Sequence, residues 1–297
     1  MYIVFSGPLV PSYLRKDLES KYIKNILHTY FRKKEMLADI NKHWVNKDVS
    51  LWVDCGAFSQ WNTAPDADID PVVYGEWCKE FYQNYKNKFK QIYFISLDKI
   101  PGRPGVKPTQ KQREQSAQIS YDNYIVLKNL GVPNLLPTVH QHEDVQWVKE
   151  YEKHTDYICI SPANDETNVG RSKWLDQVWS VINPTTKTHG LAVTGFTLLA
   201  RYPFYSADSI TWKVSGLYGI VQGFDHLKTY QLRRYRSRKE SHLLDSLDDL
   251  RDFKMYEIEV DTTDNDQKKM PYNVDYFQLL ERYVTEIWAA RGVVWNS

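Results

Sequence analysis

The sequence predicts an α/β fold built as a (β/α)8, or TIM-like, barrel. Short apolar segments alternate with longer amphipathic ones, a pattern typical of a parallel sheet with helices packed against it. About eight such short segments occur within roughly the first 220 of the 297 residues, and that number favours a closed barrel over an open sheet.

The predicted strands are short apolar runs bounded by polar or small residues. In chain order they are Tyr2–Phe5, Leu51–Val53, Ile92–Leu97, Leu135–Val139, Tyr157–Ile160, Gly190–Val193, Ser209–Trp212 and Tyr218–Val221. Amphipathic stretches that predict helices cover residues 12–43, 71–89, 110–130, 143–152 and 172–181. The last two predicted strands lie close together, so the helix between them is expected to be very short or missing.

The chain is expected to divide after residue 224. Residues 1–224 are predicted to form the catalytic barrel, and residues 225–297 a C-terminal appendage packed on it. The appendage is expected to contain a long polar helix over 225–252, a strand over 254–260 and a final helix over Val274–Ala290.

The composition limits the classes of function. The formal net charge is +1, so a nucleic-acid surface would have to be a local patch. The three cysteines, Cys55, Cys78 and Cys159, are scattered and form no CxxC pair, which predicts reduced thiols and no zinc subdomain. We therefore expect no metal and no cofactor. No signal peptide or membrane-spanning run is evident, so we expect a cytoplasmic protein.

Three aspartates, Asp54, Asp98 and Asp208, lie beside predicted strands. His140 and Ser161 follow two further strands. Catalytic groups of such barrels lie at the C-terminal ends of the strands, and burying several acids together is costly unless they bind a partner or do chemistry. The pattern predicts an enzyme, although each single aspartate could instead cap the helix that follows it.

Three motifs around these aspartates resemble those of the tRNA-guanine transglycosylases. Asp54-Cys55-Gly56-Ala57-Phe58-Ser59 resembles the family's Asp-Ser-Gly-Gly-Phe/Tyr-Gln signature, and Ser96-Leu97-Asp98-Lys99-Ile100-Pro101 resembles its Phe-Asp-Glu…Pro segment. Ala207-Asp208-Ser209-Ile210-Thr211-Trp212 resembles its Phe-Asp-Cys-Val-Leu-Pro segment. The motifs occur in the family's order, and the resemblance covers residues 1–215.

The resemblance implies a base-exchange reaction with a role for each acid. Asp208 would be the nucleophile, Asp54 the general acid and base, and Asp98 the residue that hydrogen-bonds to a guanine-like base. Weaker matches and neighbouring aromatic residues would complete the substrate-binding set, which is His140, Ser161, Gly56, Phe58, Gly190, Leu191 and Trp212. Phe58 and Trp212 would stack on a flipped base, although single aromatic residues are more often part of a core.

Two features of the chain depart from the family's pattern and narrow the choice of subgroup. The family's Cys-rich zinc motif is absent, and the chain leaves no room for the RNA-binding domain that archaeal members append. A compact, zinc-free chain resembles the bacteriophage DpdA group, which exchanges guanine in DNA for 7-deazaguanine bases as an anti-restriction modification. The expected partners are then DNA and a free base such as preQ0. Two alternatives stay open: the same chemistry on tRNA, and a non-catalytic subunit that binds base or nucleic acid.

Two basic segments are candidates for contacts with phosphate groups. One follows Asp98 and contains Arg103, Lys107, Lys111 and Arg113. The other falls in the predicted polar helix and contains Arg233, Arg234, Arg236, Arg238 and Lys239. A solvated surface is the alternative for both segments.

Overall fold

A computed structural model describes residues 1–7, 23–64, 68–217, 220–225, 231–236 and 269–295. Contacts divide the chain into two units. The first contains the described residues within 2–9 and Lys24–Asp208, and the second contains Met1, Ile23 and the described residues from Ser209 onward. The predicted boundary after residue 224, and the packing of an appendage on the barrel, stay predictions.

The first unit is a parallel barrel, as the sequence predicts. Its strands are β1 (Tyr2–Ser6), β2 (Asn25–Thr29), β3 (Ser50–Asp54), β4 (Gln91–Ile95), β5 (Leu135–Leu136), β6 (Thr138–His140), β7 (Tyr157–Ser161), β8 (Lys187–Gly190) and β9 (Ser206–Ser209). They pair in the order β5-β4-β3-β2-β1-β9-β8-β7-β6. Only Pro137 separates β5 from β6, so the two ends of the sheet meet at this residue and the nine segments correspond to eight barrel strands.

Pro137 interrupts this strand because it has no backbone N–H to donate. Its neighbours still pair on both sides. The amide of Ser96 donates to the carbonyl of Leu136 at 2.8 Å, and the amide of Cys159 donates to the carbonyl of Pro137 at 2.8 Å. The predicted strand over Leu135–Val139 is therefore confirmed as one strand with a break.

The described residues of the first unit form seven α-helices between its strands. They are α1 (Lys33–His43), α2 (Ala57–Thr63), α3 (Pro71–Tyr85), α4 (Gln110–Asn129), α5 (Gln146–Glu152), α6 (Asn168–Val181) and α7 (Phe196–Arg201). Local sequence sets several starts. The Asp70 carboxylate accepts from the amides of Val72 and Val73 at the start of α3, and Thr109 and Gln112 form a capping box at the start of α4. Such caps satisfy amides that have no partner within the helix.

Aromatic rings fill part of the barrel interior. The indole of Trp52 in β3 stacks on Tyr93 in β4 at 4.8 Å and on His189 in β8 at 6.0 Å, measured between ring centroids. Tyr93 also makes an edge contact with Tyr157 in β7 at 5.5 Å. Burying a large side chain of this kind stabilises the fold by roughly 1.5–3 kcal/mol. Side chains from four strands thus form a packed layer inside the barrel.

The second unit contains α8 (Thr211–Leu217), the antiparallel strands β10 (Ile220–Asp225) and β11 (Gln231–Arg236), and α9 (Lys269–Ala290). Within it, the amide nitrogen of Asn273 donates to the carbonyl of Trp212 at 3.1 Å, and the Met1 amino group donates to the Thr285 hydroxyl at 2.9 Å. The final predicted helix is confirmed. Of the helices formed by the described residues, none is long and apolar enough to cross a bilayer.

Three barrel strands differ from the prediction. Residues 25–29, expected within a helix, form β2. Strands expected at Gly190–Val193 and Ser209–Trp212 form about three residues earlier, as β8 and β9. The sequences of these two strands, Lys-Thr-His-Gly and Ser-Ala-Asp-Ser, carry no apolar run. Buried polar residues such as His189 and Ser206, which bond to each other, take the place of apolar ones, so hydropathy does not predict these strands.

The C-terminal predictions are wrong at two places. The strand expected at Tyr218–Val221 has its described part in β10, which pairs with β11 and not with the barrel. Residues 231–236, expected within a polar helix, form β11. The sequence Gln-Leu-Arg-Arg-Tyr-Arg of this strand has no alternation of apolar and polar residues that would have predicted it. The strand expected over 254–260 lies outside the described residues.

Candidate active site

The structure brings the three aspartates together at the C-terminal end of the barrel. Asp54 is the last residue of β3, Asp208 lies in β9, and Asp98 follows the end of β4. The negative charges of Asp98 and Asp208 both act on the Asp54 carboxyl group. The three acids therefore form one cluster, as the sequence predicts.

Asp54 is partly buried, and its surroundings disfavour its charged form. Burial, followed by the charges of Asp98 and Asp208, raises the pKa of Asp54 to about 7. Two hydrogen bonds oppose this shift. The Gly56 amide donates one to Oδ2 at 3.1 Å, and the side chain of Thr29 makes the other. A carboxyl group with a pKa near neutrality can both give and accept a proton at physiological pH.

Gly56 makes this turn possible because its backbone is left-handed, with φ of 88°. A Cβ at this position would lie 2.5 Å from the Cβ of Phe31 and 2.6 Å from the hydroxyl of Thr29. Both distances are shorter than van der Waals contact. Gly56 therefore allows the tight turn that directly follows Asp54. The predicted contact of Gly56 with a base stays a prediction.

Asp98 is held by two side-chain donors. The thiol of Cys55 donates to Oδ1 at 3.0 Å, and Nε2 of His140 lies 2.8 Å from Oδ2. Burial acts to raise the pKa of Asp98, but the hydrogen bond and charge of His140, with the bond from Cys55, outweigh it and leave that pKa below its ordinary value. Asp98 is thus an ionised hydrogen-bond acceptor.

His140 lies between Asp98 and a second carboxylate, Glu143. Its Nδ1 lies 3.0 Å from Oε1 of Glu143, and its backbone amide donates to Oε2 at 2.9 Å. Burial works to lower the pKa of His140, but the charge of Glu143 and the hydrogen bond to Asp98 raise it to about 10. The ring is therefore a cation with both N–H groups occupied. Glu143 was not predicted, and its only sequence signal is a position three residues after His140.

Asp208 is held by neutral donors. The Ser6 hydroxyl at the end of β1 donates to Oδ2, and the Ala192 amide donates to Oδ1 at 3.1 Å. Ala192 has a left-handed φ of 55°, a conformation that is costly for a residue with a side chain. The loop after β8 is thus bent so that an amide points at Asp208. Neither Ser6 nor Ala192 was predicted from the sequence.

A chain of polar groups lies beside Asp208. Nε2 of His189 lies 3.3 Å from Oδ1 of Asp208, outside hydrogen-bonding geometry. Nδ1 of the same ring lies 2.6 Å from the hydroxyl of Ser206, which in turn lies 2.5 Å from the hydroxyl of Tyr157. His189 is fully buried, so these contacts fix the orientation of its ring next to Asp208.

A cavity of about 410 Å³ opens beside Asp98, between α2, residues 68–71 and the loop that follows β4. Trp61, Leu97 and Ile100 give it apolar walls. The Trp61 indole donates to the carbonyl of Gly102 at 3.0 Å, which fixes the ring against this loop. A cavity of this size admits a purine-sized base. Trp61 was not predicted, because nothing in the sequence separates it from a core aromatic residue.

The predicted aromatic partners of the base have different surroundings. Phe58 is 55 % exposed and stacks on Trp61 with a centroid distance of 6.2 Å. Trp212 belongs to α8 in the second unit and is 1 % exposed. Stacking of Trp212 on a base would require that side chain to become exposed, and its predicted role stays a prediction.

Ser161, Gly190 and Leu191 occupy the predicted edge of the barrel. Ser161 ends β7, and its carbonyl accepts from the Gln141 amide at 2.9 Å. Gly190 ends β8, and the amide of Leu191 donates to the carbonyl of Ile160 at 3.0 Å. These residues thus lie at the ends of strands, and their predicted contact with a base stays a prediction.

The structure describes the two basic segments to different extents. Arg103 and Lys107 are exposed on the loop between β4 and α4, and a backbone bridge between Arg103 and Val106 gives this loop a turn. The backbones of Arg233, Arg234 and Arg236 lie in β11. Arg238 and Lys239 lie outside the described residues.

Neither the known protein families nor the curated proteins compared with the chain gave a match. Within the described part of the chain, no group of three or more His, Cys, Asp or Glu side chains is arranged to hold a metal ion. The geometry of the acid cluster is therefore the basis for any functional assignment.

Proposed function

We propose that the protein is a guanine transglycosylase that exchanges guanine in DNA for a 7-deazaguanine base such as preQ0. The observation that carries this proposal is the cluster of Asp54, Asp98 and Asp208 at one end of the barrel, in which each acid has different partners. A double displacement at an anomeric carbon needs a nucleophilic carboxylate and a separate group that moves protons. The cluster offers both, together with a third acid for recognition.

In the first half of the proposed reaction, an oxygen of Asp208 attacks C1′ of the target nucleotide. A glycosyl ester forms as the bond between C1′ and the guanine nitrogen breaks. The departing base takes the proton of Asp54, whose pKa of about 7 makes the protonated form available at neutral pH. The Ser6 and Ala192 donors hold Asp208 in one orientation for this attack.

In the second half, the incoming 7-deazaguanine loses its ring N–H proton to Asp54. The nitrogen attacks C1′, the ester bond breaks, and the Asp208 carboxylate is regenerated. Asp54 ends protonated, as it began, so protons balance over the cycle. The phosphodiester backbone is never cut.

Asp98 would select the base. Its ionised carboxylate can accept from the ring N1–H and the exocyclic amine of guanine, a pair of donors that adenine does not present on one edge. The cavity beside Asp98 would receive a base that has been extruded from the stack, because C1′ inside a duplex is out of reach of a barrel end. Exposed aromatic surface at Phe58 would help to offset the cost of extrusion.

DNA is proposed as the polymer because the compact chain resembles the zinc-free bacteriophage group. The exposed residues Arg103 and Lys107, and the basic residues of β11, would contact phosphates, which fix the position of a strand without selecting its sequence. A role in phage DNA modification follows from the same resemblance.

The test is incorporation of a radiolabelled 7-deazaguanine into matched substrates: duplex DNA, single-stranded DNA and tRNA of the same guanine content. Label in DNA that is lost in Asp208→Asn supports the proposal. Label only in tRNA would assign the protein to the RNA alternative with the same roles for the acids. Binding of base or nucleic acid without incorporation in any substrate would favour the non-catalytic alternative.

A further inference from the structure

We propose that Glu143, acting through His140, is a specificity-determining residue that holds Asp98 as a fixed double acceptor for a base with two donors on one edge. This inference rests on the proposed function. Glu143 contacts neither the base nor the reacting atoms in this scheme, so it is a positioning residue.

The contacts form a continuous chain from the barrel wall to the cavity. Glu143 is 6 % exposed and uses both oxygens on His140, one on the backbone amide at 2.9 Å and one on Nδ1 at 3.0 Å. The other ring nitrogen lies 2.8 Å from Oδ2 of Asp98. The ring cannot rotate without breaking two contacts, so Glu143 fixes the imidazole and the imidazole fixes Asp98.

The arrangement limits what Asp98 can bind. Cys55 donates to Oδ1 and His140 contacts Oδ2, and a carboxylate oxygen can accept more than one hydrogen bond. Asp98 lines the cavity, so in this proposal its carboxylate is the acceptor that a ligand in the cavity meets. Guanine and 7-deazaguanine present two N–H donors there, whereas a base without the exocyclic amine leaves one oxygen unpaired.

In this proposal His140 acts on the base indirectly. A direct contact with the base was expected, but both ring N–H groups point at carboxylates. The side chain has no donor left for a ligand while this chain is intact. Its effect on the base therefore passes through Asp98.

The decisive variant is Glu143→Gln, which keeps the size of the side chain and removes its charge. Glu150→Gln is the matched control, because Glu150 is a half-buried residue of α5 whose side chain accepts from Lys153 at 2.6 Å. Both proteins and the wild type would be titrated calorimetrically with free 7-deazaguanine and with 7-deazahypoxanthine, which lacks the exocyclic amine. Base-exchange kinetics would be measured with the same two bases.

We expect Glu143→Gln to weaken binding of 7-deazaguanine by about 10–100-fold, the range of one hydrogen bond to a charged group, with a smaller effect on 7-deazahypoxanthine. KM for 7-deazaguanine should rise more than kcat falls. A merely structural role would weaken both bases equally and would lower the thermal midpoint in parallel. An unchanged ratio of the two affinities would overturn the inference.

His140→Gln gives a second, independent variant in case Glu143→Gln does not fold. A neutral amide can still donate to Asp98 but carries no positive charge, so the same loss of discrimination is expected, to a smaller degree. Wild-type protein that neither binds nor exchanges 7-deazaguanine would refute the proposed function itself. Wild-type exchange with intact discrimination in both variants would refute only the role of Glu143.

Discussion

Aspartates on the two sides of the C-terminal end of the barrel have different hydrogen-bond partners. On the side of β1, β8 and β9, Asp208 accepts from a hydroxyl group and a backbone amide, both neutral. On the side of β3, β4 and β6, Asp98 faces an imidazolium that is itself held by a carboxylate. Asp54 lies near both acids and has one backbone amide as a donor from Gly56.

This contrast supports the proposal that three chemically identical groups have three roles. Neutral donors orient Asp208, as the proposed nucleophile requires. A cation beside Asp98 keeps it ionised and suits an acceptor. Burial and two negative neighbours raise the pKa of Asp54 to about 7, which suits proton transfer.

The strongest test of the contrast is Asp208→Asn. An amide cannot form the glycosyl ester, so base exchange should fall by roughly four orders of magnitude or more, with an unchanged thermal midpoint. Single-turnover exchange and a denaturing gel for the covalent adduct would measure this. Asp122→Asn, at an exposed position of α4 that accepts from Gln118, is the control. Activity equal to wild type in Asp208→Asn would remove Asp208 from the mechanism.

The turn below Asp54 is tested by Gly56→Ala. The new Cβ would meet the Cβ of Phe31 at 2.5 Å, and the left-handed φ adds strain, so the free energy of unfolding should fall by about 2–3 kcal/mol. Gly105→Ala is a matched control, since Gly105 has φ of 76° but nothing within 4 Å of the added Cβ. It should cost about 1 kcal/mol. Equal denaturant midpoints for the two variants would contradict the packing argument.

The donor on the Asp208 side is tested by Ser6→Ala. Loss of the hydroxyl that orients Oδ2 should lower kcat by roughly 10–30-fold while KM for the base changes little, since the base is recognised on the other side. Ser180→Ala controls for the substitution, because the Ser180 hydroxyl is exposed and donates to the carbonyl of Gln177 in its own helix. A change confined to KM would show that the two sides are not separate in function.

The raised pKa of Asp54 predicts a pH effect on stability. Because the folded-state pKa of about 7 exceeds the unfolded value of about 4, the contribution is fully present below pH ~4 and is lost as pH rises through about 7. The free energy of unfolding of wild type minus that of Asp54→Asn should therefore fall across this window, by on the order of 1 kcal/mol. Denaturant titrations at several pH values would measure it, and a difference that rises with pH would contradict the assignment.

The smallest effect is expected at the rim of the Asp98 side. Replacing Arg103 and Lys107 together with Ala should weaken DNA binding several-fold and reduce the salt slope by roughly 0.9 per lost phosphate contact, with base discrimination unchanged. Fluorescence anisotropy at several salt concentrations would show this. The control pair is Lys79→Ala, at a half-buried position of α3, with Lys86→Ala, at an exposed position just after that helix. An unchanged slope would leave Arg103 and Lys107 as solvated residues.

The sequence by itself determined the fold class and the three acids. Continuous apolar runs such as Leu51–Val53 and Ile92–Leu97 predict barrel strands, because both faces of such a strand are buried. The aspartates that follow these runs lie where neighbouring parallel strands end. The strands β8 and β9 could not be predicted from hydropathy, because buried polar residues such as His189 and Ser206 occupy positions where an apolar run was expected.

Only the tertiary structure decided what surrounds each acid. The hydroxyl that holds Asp208 comes from Ser6, 202 residues away, and the imidazole that holds Asp98 comes from His140, 42 residues away. Such contacts cannot be predicted from neighbouring residues in the sequence, because closure of the barrel brings these strand ends together. The charge state of an acid depends on burial and on the neighbours at a few ångströms, and for Asp54, Asp98 and Asp208 those neighbours come from strands far apart in the chain.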